Sequence, residues 1–458
     1  MTGRIHVVGI GGTGLSAIAK VLHERGVEVT GSDQAPSPYA QALEALGVPV
    51  TYGHAASNVE GARLVLVSSA VAEDNPEVLA ARQAGIPVLR REQYLHELTA
   101  GFRTVAVAGT HGKTTTTAMI AWILDQAGRD PSYIIGGVAT DLGTNAHAGK
   151  GIEFVVEADE YDRAFLGLSP SVAVVTNIEH DHPDCYPTYG DLRAAFDAFG
   201  AQVQDLLVTC GDDPAAASLD PGGVRRITYG LHSPADWRAT DVQLMPGGGS
   251  TFTAWHHDLR LGSVSLTQPG EHNVSNALGA LAAVDQLGTA FATSADALAS
   301  FHGVGRRFEL LGEAGGVTVI DDYAHHPSEI RATLRAARQR FPHADVWALF
   351  QPHTYSRTRA LMASFGKAFD DADHVLVTDV FPSREQPDGV TSGKGVVEAM
   401  EHPDARFIPA LDDALRVLTA GVKPGSVVVT LSAGDANRVG KDLLALRKAG
   451  EEGVGRHG

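Results

Sequence analysis

Short runs of β-branched and aliphatic residues alternate with longer stretches rich in alanine and leucine along most of the chain. The short runs predict buried strands of about four to eight residues, and the longer stretches predict helices with an apolar face. Strands that alternate with helices are typical of parallel sheets covered by helices. The pattern therefore predicts an α/β fold.

The alternation divides the chain into three units, for which we predict the bounds 1–100, 101–305 and 306–458. Strands of the first unit are predicted at Ile5–Val8, Val27–Thr30, Leu64–Ser68 and Pro87–Leu89, with a helix over Gly14–Arg25. Strands of the third unit are predicted at Val317–Ile320, Val346–Phe350, Val375–Thr378, Arg406–Ile408 and Val427–Leu431. The last residues, from Arg447 to Gly458, are rich in glycine and charge, which predicts a frayed tail.

The second unit changes its pattern part-way along. Its first strands, predicted to be parallel, are Thr104–Ala108, Phe154–Val156, Val172–Thr176 and Leu206–Thr209. Between residues 224 and 268, antiparallel strands are predicted at Arg226–Tyr229, Val242–Leu244, Thr251–Trp255 and Leu259–Leu266. The glycine-rich turn Pro246–Gly249 fits a hairpin connection, and a helix over Val274–Leu287 closes the unit.

Composition narrows the class of protein. The 458 residues are 44% apolar and carry a formal net charge of -18. This charge argues against non-specific nucleic-acid binding and against an anionic membrane surface, because both need clustered Lys and Arg. Only Cys185 and Cys210 are present, which excludes a disulfide scaffold and a four-cysteine zinc site and fits a reducing compartment.

Two further features concern the place of the protein in the cell. The N-terminus lacks the basic end, apolar run and small-residue cleavage site of a signal peptide. No apolar stretch reaches the roughly 18 residues that suggest a membrane span. We therefore expect a cytoplasmic protein without a membrane partner.

A glycine-rich loop between a predicted strand and a helix over Thr116–Gln126 is the strongest sign of chemistry. The loop contains the candidate ATP ligands Gly109, Thr110, His111, Gly112, Lys113, Thr114 and Thr115. Glycines let the backbone turn its N–H groups toward phosphate, and the helix N-terminus adds a positive dipole end. Lys113 is expected to reach the outer phosphates and Thr114 to bind Mg²⁺. The loop is shorter than the usual phosphate-binding motif, so a plain glycine-rich turn is the alternative.

A second glycine loop follows the first predicted strand. It contains Gly9, Gly11, Gly12 and Gly14, and Asp33 ends the next strand. This order is the dinucleotide fingerprint, in which the acid binds a ribose hydroxyl and NAD is the usual ligand. The physical requirement is only a diphosphate at a helix N-terminus, so another nucleotide fits as well. Glycines that serve strand–helix packing alone are a further alternative.

Acidic residues and histidines follow two strands of the second unit. Glu157, Asp159 and Glu160 come after one strand, and Asp181 and His182 come after another. Because ligands of open parallel sheets gather at the carboxyl ends of strands, these groups should lie beside the phosphate loop. Their oxygens suit Mg²⁺ better than Zn²⁺. A second metal beside His182 could polarise an acyl group, although a purely structural histidine remains an alternative.

Two segments of the third unit carry further polar side chains. The segment 321–327 reads Asp-Asp-Tyr-Ala-His-His-Pro, and the segment 351–357 reads Gln-Pro-His-Thr-Tyr-Ser-Arg. Each follows a predicted strand, where an active edge should lie. Taken alone, each segment is as compatible with a solvated loop as with a binding site.

Together these segments resemble the Mur ligase family over nearly the whole chain, from Gly9 to Lys441. The resemblance rests on G-I-G-G-T-G at 9–14, G-T-H-G-K-T-T-T-T at 109–117, E-A-D-E at 157–160, T-N-I-E at 176–179 and D-H at 181–182. It continues with G-E-H-N at 270–273, G-V-G-R-R-F at 303–308, D-D-Y-A-H-H-P at 321–327, Q-P-H at 351–353 and S-A-G-D at 432–435. Motifs of this number in this order are highly specific.

The resemblance implies three domains: a Rossmann-like N-terminal domain for a UDP-linked substrate, a central phosphate-loop ATPase, and a Rossmann-like C-terminal domain that closes on them. The central sheet is expected to be mostly parallel, with a small antiparallel part. The implied reaction uses ATP and Mg²⁺ to phosphorylate a substrate carboxylate, and an amine then attacks the acyl phosphate. The closest branch implies UDP-N-acetylmuramate and L-alanine as substrates, in a monomer or weak homodimer.

The resemblance also implies roles for single residues. The expected catalytic residues are Lys113, Glu157, His182, His325 and Arg357. The expected metal ligands are Thr114, Glu157 and His182. Further contacts with ATP are implied for Asn273, Arg307 and Asp322. Besides the N-terminal glycines and Asp33, contacts with the other substrates are implied for Ser69, Tyr323, His325, His353 and Arg357.

Departures and rival interpretations remain. Thr354 stands where the family commonly has Arg, which leaves Arg357 as the candidate to hold the carboxylate of the amino acid. A recycling ligase that attaches a whole peptide to the same sugar nucleotide shares part of the motif set. An NAD-dependent oxidoreductase would use Gly9–Gly14 but leaves Gly109–Thr115 without a role. A nucleotide-binding regulator would bind ATP without turnover.

Overall fold

Each of the three predicted units contains a sheet of its own in the computed structural model, which describes residues 3–455. The first sheet is parallel throughout, in the order β3-β2-β1-β4-β5. Its strands are β1 Arg4–Val8, β2 Val29–Asp33, β3 Val50–Tyr52, β4 Ala62–Val67 and β5 Val88–Arg90. Its helices are α1 Thr13–Glu24, α2 Pro38–Ala45, α3 Pro76–Gln83 and α4 Arg91–Thr99, with a 3₁₀ helix at Ala56–Val59.

The central sheet has ten strands in the order β15-β14-β13-β12-β11-β10-β6-β9-β7-β8. The strands are β6 Arg103–Ala108, β7 Ser132–Ala139, β8 Thr144–His147, β9 Glu153–Glu157, β10 Val172–Val175, β11 Leu206–Cys210, β12 Arg225–Gly230, β13 Trp237–Leu244, β14 Ser250–His256 and β15 Leu259–Leu266. The helices are α5 Lys113–Gln126, α6 Tyr189–Gly200, α7 Pro214–Ala217, α8 Glu271–Gln286 and α9 Phe291–Ala299, with a kinked 3₁₀ segment at Tyr161–Gly167. Helix α5 is buried between the sheet and helices α8 and α9.

The third sheet has six strands in the order β16-β17-β21-β18-β19-β20, and only the edge pair β16–β17 is antiparallel. The strands are β16 Glu309–Ala314, β17 Val317–Asp322, β18 Asp345–Gln351, β19 His374–Val377, β20 Ala405–Phe407 and β21 Ser426–Ser432. The helices are α10 Pro327–Arg340, α11 Tyr355–Ala360, α12 Met362–Phe365, α13 Gly393–Glu398, α14 Leu411–Gly421 and α15 Asn437–Gly455. The three-domain α/β fold is therefore confirmed, while the domain bounds near 100 and 305 stay predictions.

Two local predictions in the sheets need correction. Strand β2 begins at Val29 rather than Val27, because the N–H of Val27 is hydrogen-bonded to the carbonyl of Leu22 at the end of α1. Strand β12, predicted to be antiparallel, pairs in parallel with β11, since the short helix α7 carries the chain back between them. The antiparallel strands that follow extend the same sheet, and the predicted turn at Pro246–Gly249 joins β13 to β14 as a hairpin.

The tail prediction also needs correction. Helix α15 continues to Gly455, whereas fraying was predicted from Arg447 onward. The helix buries Val439 and Leu443 in the core of the third domain, and the guanidinium of Arg447 donates to the carbonyl of Val422 at 2.8 Å. Residues 456–458 lie outside the described part of the chain. Among the described residues, no helix is long and apolar enough to cross a bilayer.

Candidate active site

The phosphate-type loop joins β6 to α5, and the helix begins at Lys113, three residues before the predicted start. Two of its glycines adopt backbone conformations that other residues rarely take. Gly109 has a φ of +129°, and a Cβ atom there would lie 2.0 Å from the hydroxyl of Thr176. Gly112 has a φ of +79°, and its Cβ would lie 2.4 Å from Oδ1 of Asn276. Both positions therefore require glycine for conformation and for space.

The segment after β10 fixes the shape of this loop. The hydroxyl of Thr176 donates to the carbonyl of His111 at 2.6 Å, and Asn177 both accepts from the N–H of His111 at 2.9 Å and donates to its carbonyl at 3.1 Å. Thr110 donates from its hydroxyl to the carbonyl of Glu179 at 2.9 Å. Sequence reasoning recognised this segment as part of a motif, but it did not predict that Thr176 and Asn177 hold the loop.

Lys113 lies at the centre of the loop among carboxylates. Its Nζ donates to the carbonyl of Gly109 at 2.6 Å and lies 2.8 Å from the carboxylate of Glu160, which is 1% exposed. Burial by itself lowers the pKa of Lys113, but Glu160, Asp159 and Glu157 together raise it above its ordinary value. The lysine therefore keeps its positive charge although it is removed from water.

Thr114 and Glu157, two of the predicted metal ligands, are in direct contact. The hydroxyl of Thr114 donates to Oε1 of Glu157 at 3.1 Å, and the N–H of Gly136 donates to Oε2 at 2.7 Å. Arg307 of the C-terminal domain approaches the same hydroxyl to 3.5 Å. A hydroxyl beside a carboxylate is the kind of oxygen pair that suits Mg²⁺, so these residues fit the expected ion.

His182 contacts a different part of the acidic segment. Its Nε2 lies 3.9 Å from Oε1 of Glu160 and 3.7 Å from Oδ2 of Asp181, and its ring packs against Tyr161 with centroids 5.0 Å apart. The backbone of His182 has a φ of +53°, which is uncommon outside glycine. The histidine thus lies on the Glu160 side of Lys113, whereas Thr114 and Glu157 form the other side.

Arg357 connects the C-terminal domain to the central domain. Its Nε and Nη2 donate to the two oxygens of Asp181 at 2.6 and 3.2 Å, and both side chains are at most 5% exposed. Its Nη1 lies 3.0 Å from Nδ1 of His353. Nη2 also lies 3.3 Å from Nδ1 of His182. With Asp181, His353 and His182 as partners, Arg357 has little left to offer the carboxylate of an amino acid.

Tyr323, His325 and His353 form an aromatic group beside this ion pair. The rings of Tyr323 and His325 lie 5.4 Å apart, and those of His325 and His353 lie 5.8 Å apart. Burial lowers the pKa of His325 to about 4 and that of His353 to about 2. Both imidazoles are therefore neutral at pH 7.

A cavity of about 340 Å³ opens between the central and C-terminal domains, next to the phosphate-type loop. Seven of the predicted ATP ligands line it: His111, Gly112, Thr114, Thr115, Asn273, Arg307 and Asp322. Gly109 and Thr110 lie in the loop itself, and Lys113 is the first residue of α5. The cavity is also lined by residues that sequence reasoning missed, namely Asn177, Gln268, His272, Asn276, Phe308 and Thr333. His272 belongs to the G-E-H-N motif at 270–273, so this motif could have predicted His272 as a residue of the cavity.

Asn273, Arg307 and Asp322 are held firmly in the wall of this cavity. Asn273 donates to the carbonyl of Pro269 at 2.7 Å. Asp322 accepts from the N–H groups of Phe308 and Ala324 at 3.0 and 2.8 Å, while burial raises its pKa to about 6. Burial alone lowers the pKa of Arg307, but nearby carboxylates raise it above the ordinary value. The guanidinium is therefore a fixed cation that faces the loop across the domain boundary.

The N-terminal glycine loop joins β1 to α1, as predicted. The N–H of Gly11 donates to Oδ2 of Asp33 at 2.8 Å, so the acid predicted to bind a ribose also braces the loop. Gly12 is the N-cap of α1, and its N–H is hydrogen-bonded to the carbonyl of Gly9 at 3.2 Å. Ser69 is exposed just after the end of β4.

Arg91 links this loop to the acidic segment of the central domain, which the sequence did not indicate. Its guanidinium lies against Gly14, where a Cβ atom would be 2.7 Å from Nη1, and its Nη2 donates to Asp159 at 2.7 Å. Gly14, Arg91, Glu157 and Asp159 line one small pocket. The N-terminal glycine loop therefore lies near Glu157, the carboxylate that accepts from Thr114 beside the phosphate-type loop.

Comparison with protein families gives three consecutive matches. Residues 4–103 match the model of the Mur ligase family catalytic domain, residues 107–284 the Mur ligase middle domain, and residues 306–434 the Mur ligase glutamate ligase domain. The chain belongs to the Mur ligase family. The order of the three matches follows the order of the three sheets.

Individual relatives agree with this assignment. The Mur ligase is 46% identical over 455 residues to a UDP-N-acetylmuramate–L-alanine ligase of Geobacter sp. (strain M21), with 98% of each chain covered. It is 45% identical to the enzyme of the same name from Anaeromyxobacter dehalogenans (strain 2CP-1 / ATCC BAA-258), with 97% of each chain covered. A crystal structure of UDP-N-acetylmuramate-alanine ligase from Thermotoga maritima superposes with a TM-score of 0.84 at 30% identity, covering 98% of this chain and 100% of that one. A murein peptide ligase from Psychrobacter arcticus 273-4 superposes with a TM-score of 0.73 at 28% identity, covering 97% and 99%.

Proposed function

We propose that this Mur ligase joins L-alanine to the carboxylate of UDP-N-acetylmuramate and hydrolyses ATP to drive the reaction, with Mg²⁺ as the metal. Two relatives that carry this activity in their names are 46% and 45% identical to the chain over nearly its full length. The first step of the reaction would be phosphoryl transfer from ATP to the sugar carboxylate. In the second step, the amine of alanine attacks the acyl phosphate and inorganic phosphate leaves.

One observation supports this proposal most directly. Gly14, at the start of α1, and Glu157, hydrogen-bonded to Thr114 of the phosphate-type loop, line the same small pocket. This closeness supports a nucleotide-linked substrate that is held at the N-terminal loop and whose acyl end reaches toward the γ-phosphate of ATP. If the chain were an NAD-dependent oxidoreductase, the closeness of Gly14 to Glu157 and Thr114 would have no function in the reaction.

The residues of the chain suit phosphoryl transfer. Lys113 and Arg307 would stabilise the negative charge that spreads over the transferred phosphoryl group. Thr114 and Glu157 would hold Mg²⁺, and we propose His182 for a second ion. The bound metal would supply further neutralisation of phosphate charge. We also propose that the ten predicted ATP ligands bind ATP and that the N-terminal ligands bind the nucleotide-linked substrate, as the family resemblance implies.

The aromatic group beside Arg357 suits the amino acid. Nδ1 of His325 lies 2.9 Å from the carbonyl of Tyr323, which places the proton on Nδ1 and leaves Nε2 as an acceptor. Neutral His325 can accept a hydrogen bond from an amine at Nε2 without repelling it, whereas Nδ1 of His353 already accepts from Nη1 of Arg357 at 3.0 Å. The N–H group of Arg357 that faces neither Asp181, His353 nor His182 would bind the alanine carboxylate.

The test is phosphate release from ATP and Mg²⁺ in the presence of UDP-N-acetylmuramate and a panel of amino acids and short peptides. We expect release with L-alanine and the matching ligated product by mass spectrometry. Release only with a tripeptide or longer peptide would favour the recycling ligase, whose structural relative is 28% identical. Nucleotide binding without release under any condition would favour a regulator. Because the reaction uses ATP, we propose that the enzyme acts in the cytoplasm. That it is a monomer or a weak homodimer remains a prediction.

A further inference from the structure

Three side chains outside the expected magnesium site converge like metal ligands. Within residues 3–455, the one group of at least three His, Cys, Asp or Glu side chains with such geometry is His111, Glu179 and His326, called here the histidine cluster. One ligand atom from each residue lies within 4.8 Å of those of the other two. The cluster shares no member with the expected magnesium ligands.

The three members come from two domains. His111 belongs to the phosphate-type loop, Glu179 follows β10, and His326 is the N-cap of α10 in the C-terminal domain. The rings of His111 and His326 lie 4.7 Å apart across the domain boundary. An ion bound here would tie the C-terminal domain directly to the loop.

The surroundings orient the cluster as a metal site requires. Nδ1 of His111 lies 3.2 Å from Oε1 of Glu329, and Nε2 lies 3.0 Å from Oε2 of Glu179. A carboxylate on the outer nitrogen is the usual support for a metal-binding histidine. Ser328 donates from its hydroxyl to Oε1 of Glu179 at 2.8 Å, which leaves Oε2 facing the two rings.

The weak hydrogen bonding of His326 is a second indication that the cluster binds a metal. Its side chain is 2% exposed, its Nδ1 lies 3.8 Å from Oε2 of Glu179, and its Nε2 has no hydrogen-bond partner among the described residues. Nδ1 accepts only a long hydrogen bond of 3.3 Å from the N–H of Ser328. A buried imidazole with such weak partners is uncommon unless it serves another purpose.

We propose that the histidine cluster binds a transition-metal dication such as Zn²⁺ at a site separate from that of Mg²⁺. Two imidazoles and one carboxylate, completed by a water, match the four-coordinate preference of zinc, whereas Mg²⁺ prefers oxygen ligands. The ion would replace the proton between His111 and Glu179, and that proton would pass to solvent. The bound ion would hold the C-terminal domain against the loop.

The experiment uses Co²⁺ as a visible probe on the full chain, freed of metal and without ATP. We expect one saturable equivalent with d–d absorption that Zn²⁺ displaces and millimolar Mg²⁺ does not. Glu179→Gln keeps the size of the side chain but replaces one acceptor oxygen with an NH₂ donor, and His326→Asn keeps an N-cap residue. Each variant should bind Co²⁺ at least tenfold more weakly, with an unchanged circular dichroism spectrum.

The control is His182→Gln, which removes the histidine of the expected magnesium site and should leave Co²⁺ binding unchanged. Loss of the absorption in this control would place the ion at the magnesium site and overturn the proposal. Equal binding by the wild type, Glu179→Gln and His326→Asn would overturn it as well. So would the lack of any saturable Co²⁺ binding by the wild type.

Discussion

The ion pair between Asp181 and Arg357 is predicted to hold the C-terminal domain against the central domain. The change to test is Asp181→Asn, which keeps the size of the side chain but removes its charge. The guanidinium of Arg357, which is 3% exposed, then faces a neutral amide instead of the carboxylate that accepts from it at 2.6 and 3.2 Å. A buried cation without a counter-charge should destabilise the closed arrangement.

The size of the effect follows from the geometry. Two unit charges about 4 Å apart attract by about 4 kcal/mol at an effective dielectric constant of about 20. Removal of one partner of a buried pair typically costs about 3–5 kcal/mol, because the other charge is left uncompensated. Since each 1.4 kcal/mol is about tenfold, the closed population should fall by roughly a hundredfold to a few thousandfold relative to the open one.

The measurement is the radius of gyration of the ligand-free protein by small-angle X-ray scattering. Asp181→Asn should be more extended than the wild type, and Asp181→Asn combined with Arg357→Met should return toward it, because no charge is left unpaired. The matched control is Asp184→Asn, which breaks the more exposed 2.7 Å pair with Arg384 and should cost only about 0–1 kcal/mol. Equal radii for Asp181→Asn and the wild type would refute the reasoning.

Three further outcomes are expected. Lys113→Ala should lower phosphate release at least about a hundredfold with an unchanged circular dichroism spectrum, because its charge acts on the phosphates; near-normal turnover would contradict that role. His182→Ala should impair ligation while calorimetry still detects ATP binding, and turnover within threefold of the wild type would argue against a second metal. Burial lowers the pKa of His111, but Glu179 and Glu329 raise it to about 9 from an unfolded value of 6.5. The stabilisation of up to about 3 kcal/mol is therefore complete below pH 6.5 and lost as the pH rises to 9. The difference in melting temperature between the wild type and His111→Gln should shrink over this range, and a constant difference would contradict the assignment.

The sequence predicts the buried part of the fold well, for a physical reason. Central strands such as β10, Val172–Val175, are covered on both faces and read as continuous apolar runs. Strands β7 and β8 were missed because Gly136 and Gly137 interrupt the first and the second has no apolar run. Their pairing depends on partners elsewhere in the chain, which a local pattern does not record.

The sequence predicted those parts of the candidate site whose functional residues all lie in one short segment. The phosphate-type loop needs only a strand, glycines, Lys113 and a helix in order, and the structure has all four. Arg91 was missed because it is an ordinary helix residue whose partner Asp159 lies 68 positions away. The pairing of Arg357 with Asp181, 176 positions apart, was missed for the same reason.

The acidic character of the site explains why the enzyme would need its nucleotide as a metal complex. Glu157, Asp159 and Glu160 all lie close enough to Lys113 to raise its pKa, in a chain whose net charge is already -18. A bare triphosphate would meet these carboxylates as well as the lysine, and like charges in a buried site repel strongly. A divalent ion shared between phosphate and carboxylate oxygens turns this repulsion into attraction. Affinity for ATP should thus depend on Mg²⁺ far more than the loop's own cations, Lys113 and protonated His111, would suggest.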